Sequence, residues 1–156
     1  MARKPQKDQR RRILNKKARF EYQILETHET GIALRGSEVK SLRDGRASLD
    51  EAYARITNGE VFLIGCNIQI YPPATTRNHD PVRNRKLLLH RREILKLLPR
   101  VTQPGYTLVP LSLFFNEKGL AKVELALVRG KTHGDKREDI RKRDHQRDID
   151  RAMRRR

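Results

Sequence analysis

The sequence predicts a mainly β fold: a small closed antiparallel barrel of about six strands, with two or three helices and a basic C-terminal tail. Three observations carry that expectation. Asn58-Gly59 separates two short apolar runs, and this dipeptide suits a tight hairpin because both residues accept positive φ. A second pair of runs, residues 106–115 and 119–128, brackets Asn116-Glu-Lys-Gly119. In its latter arm Val123, Leu125 and Leu127 alternate with Lys122, Glu124 and Ala126. The stretch Thr30-Gly-Ile-Ala-Leu-Arg-Gly-Ser-Glu-Val-Lys-Ser-Leu-Arg43 reads as a strand, a glycine break and a short helix. Short antiparallel strands of this number close most simply as a barrel; a sandwich with a helix at one end is the competitor.

Taken in order, residues 1–12 form a basic arm without a buried-face pattern, and residues 13–19 are a transition in which Ile13 and Leu14 can dock. Residues 20–26 alternate and read as the first strand, with residues 28–31 as its turn. Gly36 permits a bend, Ser37 can cap the following turn, and Glu38 suits its positive end. Val39 and Leu42 then share one helical face while Lys40 and Arg43 share another. Residues 46–49 and 67–71 are further short strands. Residues 71–85 hold three prolines and form a long loop carrying Arg77, Arg83 and Arg85, with Lys86 beside it. Residues 90–98 form an amphipathic helix with Ile94, Leu95, Leu97 and Leu98 inward and Pro99 just beyond its end. From residue 131 onward, acid-before-base pairs four apart (Glu138–Lys142, Asp139–Arg143, Asp150–Arg154) favour a helix by about 0.2–0.5 kcal/mol each. Apolar side chains are too few to hold that helix on a core, so the tail is expected to order on an anionic surface, with Ile149, Ala152 and Met153 as its apolar stripe.

The division is therefore a basic N-terminal arm, 1–12, a globular domain, 13–130, and a tail, 131–156. Of 156 residues, 36 are Lys or Arg and 19 are Asp or Glu, a formal net charge of +17. Such an excess repels itself and calls for an anionic partner, with nucleic acid first and a membrane surface second. Cys66 is the sole cysteine, which excludes a disulfide framework and a thiolate metal cluster; it reads as a small packing residue. The basic N-terminus is followed by no hydrophobic segment, so no secretory signal is expected and the protein reads as cytoplasmic.

Catalytic patterns are absent: no phosphate-binding glycine loop, no nucleophile elbow, no His-Glu-x-x-His. His133-Gly-Asp135 lacks a third metal ligand nearby, and His79-Asp80 reads as a solvated turn. No enzyme, metal or cofactor is expected. With only four tyrosines and four phenylalanines, mostly in strands, serial base stacking is poorly supported. Recognition of folded RNA by shape and phosphate contacts fits better.

Several words, in order and spacing, then carry a resemblance: Asn15-Lys-Lys-Ala; Glu26-Thr27 followed by Gly31-Ile-Ala-Leu34; Gly36-x-Glu-Val-Lys-Ser-Leu-Arg43; Arg85-Lys-Leu-Leu-Leu89; Gly130-Lys131; and Asp135-Lys-Arg137. From about Asn15 to the C-terminus the chain resembles the small protein B (SmpB) family, the partners of transfer-messenger RNA (tmRNA). The resemblance implies an oligonucleotide-binding (OB-fold) barrel that binds the tRNA-like domain of tmRNA and delivers it to stalled ribosomes for trans-translation, tagging the nascent chain. It implies a monomer when free, whose tail becomes helical in the mRNA channel near the small-subunit decoding centre. By matching position, Glu29, Leu88 and Lys122 are the leading RNA-contact residues. Asn15, Lys16, Lys40, Arg43, Lys86 and Lys131 follow, and Asp135, Lys136, Arg137, Ile149 and Met153 engage the ribosome. Gly134 stands where many members have His or Tyr, and His145 where some have Trp. A structural ribosomal protein with rRNA-threading arms is the alternative expectation.

Overall fold

The computed structural model describes residues 12–154; the expected N-terminal arm, but for Arg12, lies outside them. Strand β1 (Ile13–Leu14) leads through Asn15 into helix α1 (Lys16–Glu21) and the long strand β2 (Tyr22–Ile32). Helix α2 (Gly36–Arg43) follows, then β3 (Ala47–Ser48), β4 (Tyr53–Thr57), β5 (Glu60–Ile64) and β6 (Asn67–Ile68). A 3-10 stretch (Pro72–Arg77) precedes β7 (Arg85–Leu88), helix α3 (Arg91–Val101), β8 (Tyr106–Phe115), β9 (Ala121–Gly130) and helix α4 (His133–Arg154).

All strand pairings are antiparallel. Neighbours run β1-β8-β4-β5-β7-β2-β9, and β8 also pairs with β9. Six strands (β8, β4, β5, β7, β2, β9) thus pair in a ring, which leaves no open edge between them. The β4–β5 hairpin turns on Asn58 and Gly59 at φ 51° and 74°, the positive angles a two-residue hairpin needs. Strands β8 and β9 are apolar on both faces only where α1 covers the outer side; beyond it the outer face carries Ser112, Lys122 and Glu124. Leu108, Leu113, Val123, Leu125 and Leu127 face the main core with Leu42 from α2 and Ile94 and Leu97 from α3. Val109, Leu111, Ala126 and Val128 form a second cluster with Ala18 of α1.

Several expectations change. Of the strand expected at residues 20–26, residues 22–26 are strand, within β2, while residues 20 and 21 end helix α1. The Asn15 side chain accepts the Ala18 N–H at 3.0 Å and starts a helix through residue 21. Residues 28–31 do not turn; β2 runs straight through to Ile32, with a bulge at Leu25. The long partner β9 decides this, since it supplies a pairing residue for Glu29, Thr30 and Gly31 alike. Gly36 lies inside α2 at an ordinary φ, and Ser37 does not cap it: Arg35 is the N-cap residue. Helix α3 continues past Pro99 to Val101, and Leu95 and Leu98 are exposed, so its buried side is narrower than expected. Residues 71–85 are less loop-like than expected, holding the 3-10 stretch and the short strand onset at Arg85.

Cys66 is fully buried, and burial pushes its thiol up to about 11, with the Arg85 charge opposing. Against the ordinary value of 9.0, the thiolate fraction falls roughly a hundredfold at mildly alkaline pH. Iodoacetamide at pH 8 is therefore expected to leave the native protein unmodified over a time that alkylates the unfolded chain, as read by intact mass; equal rates would contradict its burial.

Candidate nucleic-acid interface

Strand register assembles a row across four strands. Leu88 of β7 lies opposite Gly31 of β2, Gly31 opposite Lys122 of β9, and Lys122 opposite Phe114 of β8. Glu29, two residues before Gly31, starts the adjacent row with Glu124 and Ser112. Alternation along β7 puts Leu87 in the core and leaves Leu88 54% exposed. Gly31 makes this possible: a Cβ there would come within 3.1 Å of the Leu88 Cβ. Beside the row, the Arg12 guanidinium stands 4.2 Å from the Phe114 ring centroid and 3.8 Å from the Glu124 carboxylate, which also accepts the Ser112 hydroxyl at 2.9 Å. Glu124 is thus compensated, whereas Glu29 and Lys122 have no ion pair among the described residues.

Helix α2 is fixed from beneath. Glu38 is fully buried and accepts from the Arg35 N–H (2.7 Å), Arg83 Nε and Nη2 (3.1 and 2.7 Å) and Arg85 Nε (2.9 Å). Burial alone would raise the Glu38 carboxyl, but Arg83, the Arg35 amide and Arg85 outweigh it and hold the group below the ordinary carboxylate value. Arg85, itself 0% exposed, spends its other N–H groups on the carbonyls of Cys66, Arg83, Pro81 and Asp80. Arg83 and Arg85 were expected as exposed loop cations; they are instead the counter-charges of one buried carboxylate. The parity of β7 carries the signal for this, since Arg85 and Leu87 point to the same side. His79 Nε2 donates to the Ile68 carbonyl and its Nδ1 accepts from the Ser37 hydroxyl, both at 2.8 Å, tying the proline segment to α2. On the outer side of α2, Lys40 stands 5.5 Å from the Tyr71 ring centroid and Arg43 5.8 Å from that of Phe115.

The other expected site residues are placed unevenly. Asn15 is 2% exposed; its amide donates to Leu49 and Pro110 carbonyls and its oxygen caps α1. The polar groups of this side chain are all spent internally. Lys16 is exposed on α1. Lys86 pairs with Glu60 at 2.6 Å. Lys131 is largely covered, donating to the Arg19 carbonyl and to Asp139. Asp135 accepts from the Thr132 amide and hydroxyl and donates its own N–H back, a reciprocal cap for α4 that holds its carboxyl below the usual range. Lys136 and Arg137 lie in the first turns of that helix. Ile149 is partly buried and Met153 is 72% exposed. The tail is helical here with no buried residue; Arg143 stands 5.0 Å from the Phe20 ring centroid of α1. Among the described residues no group of His, Cys, Asp or Glu is arranged to hold a metal ion, and no helix is long and apolar enough to cross a membrane.

A family model described as SmpB protein matches residues 12–155. The chain belongs to the SmpB family. Relatives agree. An "SsrA-binding protein" of Moorella thermoacetica is 56% identical over 142 residues, covering 91% of this chain and 92% of that protein. One of Gloeobacter violaceus is 56% identical over 147 residues, covering 93% and 96%. A solved chain from "tmRNA-SmpB: a journey to the center of the bacterial ribosome" superposes with a TM-score of 0.67 at 48% identity, covering 83% of this chain and 94% of its own. Sequence reasoning missed three features of this row: Phe114, Arg12 and the Gly31–Leu88 fit. The first two were legible only as an aromatic in a strand and a cation in an arm; cross-strand register gives them neighbours.

Proposed function

We propose that this protein is a non-enzymatic RNA-binding adaptor: it binds the tRNA-like domain of tmRNA and brings it to stalled ribosomes for trans-translation. Its membership of the SmpB family over residues 12–155, with relatives described as SsrA-binding proteins, carries the reading. The six-stranded ring acts as an OB-type barrel, and the row Leu88–Gly31–Lys122 with Glu29 is the RNA-contact face. Lys122 and the α2 cations Lys40 and Arg43 meet phosphates; Leu88 packs on a base; Glu29 accepts hydrogen bonds from base amino groups and disfavours wrong edges. Lys16 and Lys86 extend the positive field. The tail from residue 131 engages the ribosome through Lys136, Arg137, Ile149 and Met153, with Asp135 setting where the helix begins. Such work belongs in the cytoplasm.

The test separates the two parts. Full-length protein is expected to bind the tRNA-like domain tightly and in a salt-sensitive manner; equal affinity for any duplex RNA of the same length would count against the reading. Truncation after Lys131 is expected to keep that binding within about threefold and to abolish tagging in a reconstituted translation reaction. Loss of RNA affinity in the truncated chain would contradict the division of labour.

A further inference from the structure

Between the start of α2 and the 3-10 stretch lies an open groove of about 510 Å³, lined by Arg35, Lys40 and Arg77 together with Gly36, Ser37, Ala74 and Asn78. No carboxylate lines it. None of Arg35, Arg77 and Lys40 has an ion pair among the described residues, and the ammonium of Lys40 stands over the Tyr71 ring. The polar groups of its walls are spent internally. Ser37 bonds His79, and the Asn78 side chain bridges the Tyr71 N–H at 2.8 Å and the Tyr71 and Thr75 carbonyls at 2.9 and 3.3 Å. The two walls are held to each other from below through Ser37–His79 and through Glu38–Arg83. Three like charges thus line a fixed frame, and the carboxylate beneath them, Glu38, is already shared by Arg83 and Arg85, in a chain whose net charge is +17.

We infer that this groove holds an RNA backbone phosphate, as a second contact separate from the Leu88–Lys122 row and on the same RNA. The arrangement supplies what a phosphodiester takes: two guanidinium forks and one ammonium lining one groove, Arg35 and Lys40 from α2 and Arg77 from the 3-10 stretch. Helix α2 runs from the groove toward the end of β8 that carries the row: Arg43 at its far end lies against Phe115, whose ring leaves the opposite face of the strand from Phe114, the neighbour that faces Lys122. Eight residues of helix place the groove roughly 12 Å from that point, so one strand of RNA can reach both. This inference rests on the RNA-binding function proposed above and assigns Arg35 and Arg77 a part in it.

The experiment measures affinity for the tRNA-like domain of tmRNA against salt concentration, using full-length protein, R35Q/R77Q, and R92Q/K96Q as a control of equal charge on α3. Both pairs are exposed, and a thermal melt of each variant checks that it folds. The groove variant is expected to lower the slope of log affinity against log salt by roughly two, with the control near wild type. Equal slopes for the groove variant and wild type, or equal loss in groove and control variants, overturn the inference. A parallel arm uses vesicles of anionic phospholipid: loss of vesicle binding with RNA binding untouched also overturns it. Failure of the wild-type protein to prefer tmRNA over other RNA would instead strike the proposed function, while a slope change on every RNA would leave the groove standing.

Discussion

Glu38→Gln is expected to lower the unfolding free energy by about 3–5 kcal/mol, the usual penalty for stripping one partner from a buried ion pair. The substitution is close to isosteric, so little of that loss is cavity formation. What it leaves is Arg85, fully buried, facing a neutral amide that can accept only part of what the carboxylate accepted. Arg83, on the rim, can turn to water; Arg85 cannot. Urea denaturation read by circular dichroism measures the effect, and a loss under about 1 kcal/mol would mean that the pair is dispensable. The pH dependence gives a second reading with a definite sign. The folded-state carboxyl is held below its ordinary value of 4.5, so its contribution is complete above that value and is lost as pH falls through the depressed one. The wild-type protein therefore loses more stability on acidification than Glu38→Gln, and the gap between them narrows toward acid pH. Parallel curves would show that the carboxylate is not being held. The double variant Glu38→Leu/Arg85→Met is expected to recover only part of the loss: no orphan buried charge remains, but the carbonyls of Cys66 and Pro81 and the Arg35 N–H lose their partners.

Two substitutions in the row are expected to weaken binding to the tRNA-like domain by different physics. Leu88→Ala removes an exposed apolar contact and is expected to reduce affinity by roughly 3- to 10-fold, the order of burying the exposed half of one leucine side chain, with the salt slope unchanged. Lys122→Ala removes a phosphate partner and is expected to reduce affinity about tenfold or more, with the salt slope lower by roughly one. A fluorescence titration at several salt concentrations separates them. Identical slopes for both variants would deny the division into charged and apolar contacts. Neither substitution is expected to disturb folding, since Leu88 is exposed and Lys122 has no ion pair among the described residues. Gly31→Ala tests the same contact from below. The added methyl meets Leu88 at 3.1 Å, so Leu88 must give way, and the variant is expected to resemble a mild Leu88→Ala.

Much of this architecture was legible from the chain alone. The two hairpins followed from Asn58-Gly59 and from the turn before Gly119, because positive φ at a hairpin is a local demand that few residues meet. The alternation of Val123, Leu125 and Leu127 fixed the inner face of β9, since side chains in a strand alternate whatever lies opposite. The motif words pointed to the family, and the charge excess pointed to an anionic partner, since a net +17 is a property of composition.

What the tertiary structure decided was the meaning of individual polar residues. Local pattern treats Arg77, Arg83 and Arg85 as one run of cations. Only the closing of β7 against β5 and β2, with α2 laid beneath the loop, turns two of them inward onto Glu38 and leaves Arg77 in the groove. Asn15 was legible only as an RNA-contact residue by resemblance; the fold brings carbonyls 34 and 95 residues further along the chain within 3.0 Å of its amide. Phe114, Lys122, Gly31 and Leu88 are neighbours only through register. The difference is one of range. Backbone angles and side-chain alternation are set within a few residues, whereas burial of a charge, and its partner, is set by segments that meet only when the ring of strands is complete.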